Sequence, residues 1–357
     1  MLIKNKKILH VITLSSVGGA QSVVVNLANV QCNENEVYVL SSSSHEAWKM
    51  LDKRVHILTI KELQNKIQLK DIVVILRLIY YRLKLKADII HLHSSKIGMF
   101  GRLVFPTRRI VYTVHGFDSM RITHRKLFFF TRPLQNFCRF IVGVSKYDED
   151  NMKEAGISNN VTFIYNGIAD VSKVVPSEQQ KELLEHINEF KAKYNGLIIS
   201  IARDSYPKRI DLFLEIAKQM QDYAFVWIGN SQNYKKTDNV LLLGVIPNGS
   251  QLLRLADVFM LCSNYEGLPI SILEALAFSK PIVSSAVGGV PEILDGTNGF
   301  AIDNNATNFI SSINKILENN DTYQVFSINA RNTYENRFNL DNMVNEYDKL
   351  YAKIVNQ

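Results

Sequence analysis

Cysteine is scarce in this sequence. Its three cysteines, Cys32, Cys138 and Cys262, are scattered, odd in number and never form a CxxC pair. That argues against a disulfide framework or a zinc site and fits a reducing compartment. Each reads as a small buried apolar residue. A GxGxxG dinucleotide fingerprint is also missing, so a nicotinamide-dependent dehydrogenase lacks its main signature. No uncharged apolar run reaches the roughly 18 residues that a membrane-spanning helix needs. The longest, Ile72 to Leu83, is broken by Arg77 and Arg82. The opening MLIKNKKILHVIT passes from a basic tail straight into a strand-like run, without the pattern of a signal peptide. A cytoplasmic protein is the expectation.

What is present describes a folded chain. Hydrophobic residues make up 46% and charged residues 21%, a globular balance rather than a disordered one. A length of 357 residues accommodates two domains of ordinary size. The net charge of +7 is unevenly spread: residues 1–170 carry 24 Lys and Arg against 13 Asp and Glu, whereas residues 171–357 carry 17 against 21. A basic first half calls for an anionic partner. Nucleic acid is not expected, because no nucleic-acid-binding motif accompanies the charge. An anionic membrane face or a diphosphate-linked lipid fits better.

Short apolar runs recur through the chain at Lys7–Ile12, Glu36–Leu40, Val55–Ile60, Asp88–His93, Ile110–His115, Phe140–Ser145 and Val161–Tyr165. They return at Leu197–Ile201, Ala224–Gly229, Val240–Leu243 and Val258–Cys262. Helix-prone or amphipathic stretches separate them, so the fold class is α/β with doubly wound parallel sheets. After the first run comes the turn Ser15 to Gln21, whose Gly18-Gly19 pair permits positive φ and close backbone approach. Tyr112 to Gly116 ends a strand with His115 before a glycine, a place where a histidine is either structural or catalytic. His91 and His93 share a strand face. A two-histidine metal site is conceivable there, but no third ligand of matching spacing is visible, so they read as packing or acceptor-side residues.

The most informative stretch is Val258 to Ile302. A buried strand feeds the turn Ser263-Asn264-Tyr265-Glu266-Gly267, and a helix follows with Pro269 at its start. Glu266 thus stands at a strand's carboxyl end, and Glu274 lies about a turn and a half inside the helix. Two carboxylates framing a helix N-terminus make sense if they bind hydroxyls while a phosphate sits on the backbone N–H groups between them. A nucleotide sugar has that pattern. The plainer alternative is one carboxylate favoured by the helix dipole and one solvated glutamate.

Glu266-x7-Glu274, followed by Pro281-Ile282-Val283, Gly288-Gly289-Val290-Pro291-Glu292 and Asn298-Gly299, resembles the donor-binding half of the family 4 retaining glycosyltransferases. The likeness extends upstream through Leu243-Gly244-Val245 and Leu255-Ala256-Asp257-Val258, and to Gly18-Gly19-Ala20-Gln21, the strand Asp88–His93, His115 and Asn166-Gly167-Ile168. It implies the GT-B fold, two Rossmann-like domains facing a cleft. The acceptor domain would span residues 1–168, completed by a terminal helix at 340–357. A linker and first helix would occupy 169–195, and the nucleotide-sugar donor domain 196–339.

The resemblance also implies roles. His115 would face the transferred sugar, and Gly18 and Gly19 the donor phosphates and acceptor. Arg203 and Lys208 would neutralise the leaving diphosphate, Glu266 would hold sugar hydroxyls and Glu274 the ribose. Val245 and Ile246 would contact the base, and Gly267, Leu268 and Pro269 the donor at the helix start. Arg209 departs from the small residue common at its position, which bears on the loop's conformation. The expected reaction is metal-independent, cofactor-free retaining transfer of a hexose or N-acetylhexosamine from a nucleoside-diphosphate sugar, UDP-linked by analogy. The acceptor would be a polyprenyl-diphosphate-linked surface polysaccharide. A non-catalytic sugar-nucleotide-binding subunit and a UDP-sugar 2-epimerase are the rival readings. The joint presence of His115, Arg203, Lys208, Glu266 and Glu274 weighs against the first, and the GGAQ loop with the glutamate pair against the second. Finally, residues 121–140, rich in Arg, Lys and Phe, read either as an interfacial helix on an anionic membrane or as a core helix with a solvated basic face.

Overall fold

The computed structural model describes residues 3–43, 46–123 and 131–356, which fall into two compact units, 1–167 with 340–357 and 168–339. Both are α/β. The first holds a seven-stranded parallel sheet of β1 (Lys7–Val11), β2 (Glu36–Ser41), β3 (His56–Thr59), β4 (Ile89–Leu92), β5 (Ile110–Val114), β6 (Phe140–Gly143) and β7 (Val161–Phe163). The order is β3-β2-β1-β4-β5-β6-β7. It reverses between β1 and β4, and a crevice opens at that switch point, outside the strands' carboxyl ends. In register, His10 lies between Val39 and His91.

Helices α1 (Gly19–Gln31), α2 (Asp71–Leu85), α3 (Ser95–Val104) and α4 (Lys146–Glu154) supply crossovers of the first sheet. Ser145 caps α4 by accepting a hydrogen bond from the Asp148 N–H at 3.1 Å. The C-terminal helix Leu340–Val355 completes this unit, burying Tyr347 and Tyr351.

The second unit carries a six-stranded parallel sheet of β8 (Leu197–Ile201), β9 (Ala224–Ile228), β10 (Val240–Leu242), β11 (Val258–Leu261), β12 (Ile282–Ser285) and β13 (Gly299–Ile302), in the order β10-β9-β8-β11-β12-β13. Its switch point lies between β8 and β11. These central strands are apolar on both faces, as strands covered by helices on each side must be. Trp227 of β9 is fully buried and meets Phe213 edge to face at 5.1 Å. Among the second unit's helices are α5 (Glu178–Lys191), α6 (Ile210–Gln219) and α7 (Ile270–Ala277). Helix α5 opens with a capping box of Ser177 and Gln180. It is tied down where Lys191 donates to Asp257 at 2.9 Å.

Two expectations are corrected. Gly18 is extended (φ 178°) and Gly19 begins α1, so neither uses the positive φ read into the pair. A single helix over 121–140 is not observed in the described part. Residues 124–130 lie outside it, Pro133–Phe137 form one 3-10 turn, Cys138 is extended and Phe140 already starts β6. Pro133, without an N–H, favours that short local turn over continuation of a helix.

Candidate functional site

In the first unit, the switch point holds a cavity of about 180 Å³ whose walls include Thr13, His93, Ser94, His115 and Gly116. The loops after β1 and β4 meet there, with Ser94 Oγ accepting from the Thr13 N–H at 3.1 Å. Gly116 has φ 98°, a value that lets the chain turn away directly after His115. The following N–H, of Phe117, donates to Asp148 Oδ1 at 2.8 Å, so α4 anchors the loop that carries His115. Burial pushes the Asp148 carboxyl up to about 7 against the hydrogen bonds that lower it. On the rim, Lys96 is buried and neutralised by Asp71 at 2.6 Å, and it also donates to the carbonyls of Gln64 and Lys66. It therefore holds the Asn65 side of the cavity rather than offering a free charge.

His115, half-buried, ends a row of imidazoles that runs into the interior. Its Nε2 lies 3.2 Å from His93 Nδ1, His93 Nε2 lies 3.0 Å from His10 Nδ1, and His10 Nε2 lies 2.7 Å from Gln31 Oε1. An amide oxygen only accepts, so His10 donates from Nε2 and must accept at Nδ1 while neutral. The same logic passes along the row. His93 donates from Nε2 to His10, and His115 donates from Nε2 to His93. This leaves the His115 Nδ1 with its lone pair. Burial pulls His10 and His115 down to about 4 and His93 well below its ordinary value, which keeps the rings neutral and the polarity defined.

His91, with its ring 3.8 Å from that of His93, bonds Tyr351 Oη at 2.6 Å and Thr113 Oγ1 at 2.7 Å. Here the sequence reading is corrected. A third histidine does join His91 and His93, namely His10 from the neighbouring strand, and the three ligand atoms lie within 4.8 Å of one another. Every ring nitrogen of the three has a protein partner, however, so the cluster is built as a hydrogen-bond network.

In the second unit, the loops after β8 and β11 are stitched together at the switch point. The Arg209 N–H donates to the Cys262 carbonyl at 3.0 Å, and the Asn264 N–H to the Pro207 carbonyl at 3.0 Å. This brings Lys208 onto Glu266: the ammonium donates to Oε1, which also accepts from Ser263 Oγ at 2.5 Å. Both partners are largely buried. Arg203 is exposed and has no ion-pair partner among the described residues. Arg209 turns to Asp211 at 2.6 Å, so the departure noted at this position adds a local ion pair beside the loop.

Gly288 stands at φ 58°, and a Cβ there would come within 1.8 Å of the Glu266 carbonyl oxygen. Only glycine lets that loop rest on the Glu266 backbone, where the Gly289 N–H donates to the Gly267 carbonyl at 2.8 Å. Pro269 precedes α7 without a side-chain cap, leaving first-turn N–H groups for another acceptor. Leu268 and Pro269 are buried, and Gly267 is half-buried. Glu274, half-buried on α7, has its carboxyl pushed up to about 7 by burial, offset in part by a hydrogen bond with Ser250. Val245 is exposed and Ile246 half-buried after β10, in the loop that leads to the turn carrying Ser250.

The second unit thus joins Lys208, Glu266 and the start of α7 into one site, with Arg203 on the same β8 loop. Sequence reasoning missed the supports: Gln31, His10, Asp148 and Ser263. The even spacing of His91 and His93 was the one available signal. The pairing of β1 with β4, which adds His10, has no local signature.

The family model described as "Glycosyltransferase Family 4" matches residues 17–170, and that described as "Glycosyl transferases group 1" matches residues 180–333. A UDP-Gal:alpha-D-GlcNAc-diphosphoundecaprenol alpha-1,3-galactosyltransferase of Escherichia coli is 28% identical, over 98% of this chain and 97% of its own. The O-antigen biosynthesis glycosyltransferase WbnH of Escherichia coli is 25% identical, over 97% and 99%. HepE of Anabaena, solved in complex with UDP and glucose, superposes with a TM-score of 0.84 over 98% of this chain and 100% of that one. At 18% identity this likeness concerns the fold.

Proposed function

Because the chain belongs to the family 4 glycosyltransferases of GT-B fold, we propose that it transfers a hexose or N-acetylhexosamine, with retention, from a UDP-sugar to a polyprenyl-diphosphate-linked acceptor during assembly of a surface polysaccharide. The observation that carries this reading is the Lys208–Glu266 pair at the β8/β11 switch point, set at the N-terminus of α7. The name of the Escherichia coli galactosyltransferase supports both the base and the lipid.

The hard step is departure of the diphosphate from an oxocarbenium-like centre. Negative charge grows on the diphosphate as the bond breaks. Groups placed to meet it there lower the barrier more than they tighten ground-state binding. Lys208 supplies a point charge, Arg203 a fork, and the start of α7 uncommitted N–H groups. Together they take on the neutralisation that a divalent ion provides elsewhere, so transfer proceeds without metal. Once Lys208 swings to phosphate, Glu266 is free to accept from sugar hydroxyls. Glu274 accepts from the ribose hydroxyls, and Val245 and Ile246 flank the base. In the first unit, Gly18 and Gly19 open α1, and His115 presents its Nδ1 lone pair to the incoming hydroxyl.

Thermal melting in the presence of EDTA tests the donor site. UDP should raise the melting temperature, and GDP and ADP should not; a ligand at 100 times its Kd adds about 2.7 kcal/mol. No shift with any nucleotide would overturn the donor-site assignment.

Glu274 makes a sharper prediction. Ribose hydroxyls donate best to the ionised carboxylate, and this carboxyl titrates near 7 in the free protein. Binding therefore expels a proton, and UDP-sugar affinity should rise from pH 6 to pH 8. In Glu274→Gln it should be weaker and flat across that range. Calorimetric titrations at the two pH values decide this, and an unchanged pH response in the variant would separate Glu274 from the ribose.

A further inference from the structure

Helix α2 shows two apolar faces. Val74, Leu78 and Leu85 are buried, and they pack inward with Asp71. The opposite stripe is apolar as well: Ile72, Leu76, Ile79 and Leu83, at i, i+4, i+7 and i+11, are 65%, 60%, 38% and 66% exposed. Leu69, just before the helix, is 92% exposed. Isolated exposed leucines mean little, but a contiguous stripe of this kind marks an interaction surface.

Charge identifies the occupant. Between Glu62 and Asp88 the sequence has one acid, Asp71, against Lys66, Lys70, Arg77, Arg82, Lys84 and Lys86. Asp71 is buried on Lys96, so the exposed face carries no compensating carboxylate. Arg77 and Lys84 run along one flank of the stripe; on the other stand Arg82, which also donates to the Val104 carbonyl, and Lys86 at the helix's C-terminal cap, both exposed. Apolar side chains flanked on both sides by cations suit a helix lying in the headgroup layer of an anionic bilayer. A second copy of the chain fits poorly, because a twofold contact would set the basic flanks against each other.

We infer that α2 is the membrane-docking element of this protein, with its Ile72–Leu83 stripe inserted among the acyl chains and its basic flanks on anionic headgroups. The segment 121–140 is not needed for this. The inference goes beyond the transfer reaction and does not rest on it, so it is tested on binding alone.

The full chain is sedimented with vesicles of phosphatidylglycerol in phosphatidylcholine and with vesicles of phosphatidylcholine only. Expected is binding at least about tenfold stronger to the anionic vesicles, weakened by raised salt, as charge attraction at a surface requires. Leu76→Ser with Leu83→Ser should lower vesicle binding about tenfold or more, as loss of buried apolar area requires. Its melting temperature and nucleotide binding should be unchanged, since both leucines are exposed. Arg77→Gln with Lys84→Gln should remove most of the preference for the anionic lipid. Three results would overturn the inference: no vesicle binding by the unaltered chain, binding that the leucine variant retains, and a dimer in solution that the leucine variant dissolves without any vesicle binding.

Discussion

Lys208→Ala should lower kcat by about 10²–10³-fold, the scale of removing one preorganised donor from developing negative charge. The geometry adds a second reason. Lys208 is bonded to Glu266 in the free protein, and both are largely buried. Without the ammonium, Glu266 is left as an uncompensated carboxylate next to the proposed diphosphate position. Part of the loss in Lys208→Ala is therefore repulsion by Glu266, which disappears when Glu266 is also removed. Glu266→Ala should be similarly damaging alone, chiefly in kcat, because in the proposed site its contacts with sugar hydroxyls tighten in the transition state. The double variant should be no worse than about the poorer single one. Steady-state kinetics of the four proteins close the cycle. Losses that simply multiply would show that the two residues act separately.

His115→Ala should cost on the order of 10²-fold in kcat if its Nδ1 meets the reacting hydroxyl. The row of imidazoles behind it allows a finer test. His93→Ala removes the acceptor that fixes the His115 Nε2–H, so both tautomers become available. A loss on the order of tenfold in kcat is expected, with donor KM unchanged, comparable to removal of an orienting partner behind a functional histidine. The pH profile separates this from simple loss of packing. In the intact row burial holds His115 down at about 4, so kcat should stay flat from pH 8 to pH 5. In His93→Ala, which opens space beside the ring, an acidic limb should move up toward pH 6.5, the ordinary histidine value. A flat profile in both proteins would remove His115 as the group that accepts a proton. The neutral histidines also set a stability limit. Between pH 6.5 and about 4 they bind protons when unfolded and not when folded, so their contribution to stability falls as pH drops through that window, opposed by the raised carboxyls of Asp148 and Glu274. Rates near pH 5 are accordingly measured below the shifted melting temperature.

Much of the architecture is local in origin and was legible. Runs such as LIISI at 197–201 and VFML at 258–261 are too apolar for a solvated face, and the turns between them carry glycine or polar residues. Repeating strand and helix patterns therefore announce a doubly wound sheet, and they do so without any knowledge of strand order. Glu266 and Glu274 were visible as a spaced pair because their positions relative to one strand and one helix follow from eight consecutive residues of separation. The family landmarks in the same stretch are equally local.

What the linear pattern does not contain is which strands become neighbours. Lys208 and Glu266 are 58 positions apart and pair because β8 and β11 are adjacent, with the loops beyond them hydrogen-bonded together. His10, His93 and His115 come from β1 or from the ends of β4 and β5, so a row across the sheet looks like three unrelated residues along the chain. Helix α2 shows the same limit in another form. Its sequence reads as an apolar run broken by arginines, and periodicity alone allows either stripe to face the core. Packing into the core of the first unit buried Val74 and Leu78 and turned Ile72, Leu76 and Leu83 outward. The sequence by itself determined the element types, the fold class and the residues able to carry charge and hydroxyl recognition, because those depend on near neighbours and on side-chain chemistry. The tertiary structure decided which charges neutralise each other, which histidine nitrogen keeps its lone pair and which apolar face is left to meet a partner, because each of these depends on contacts between segments far apart in the chain.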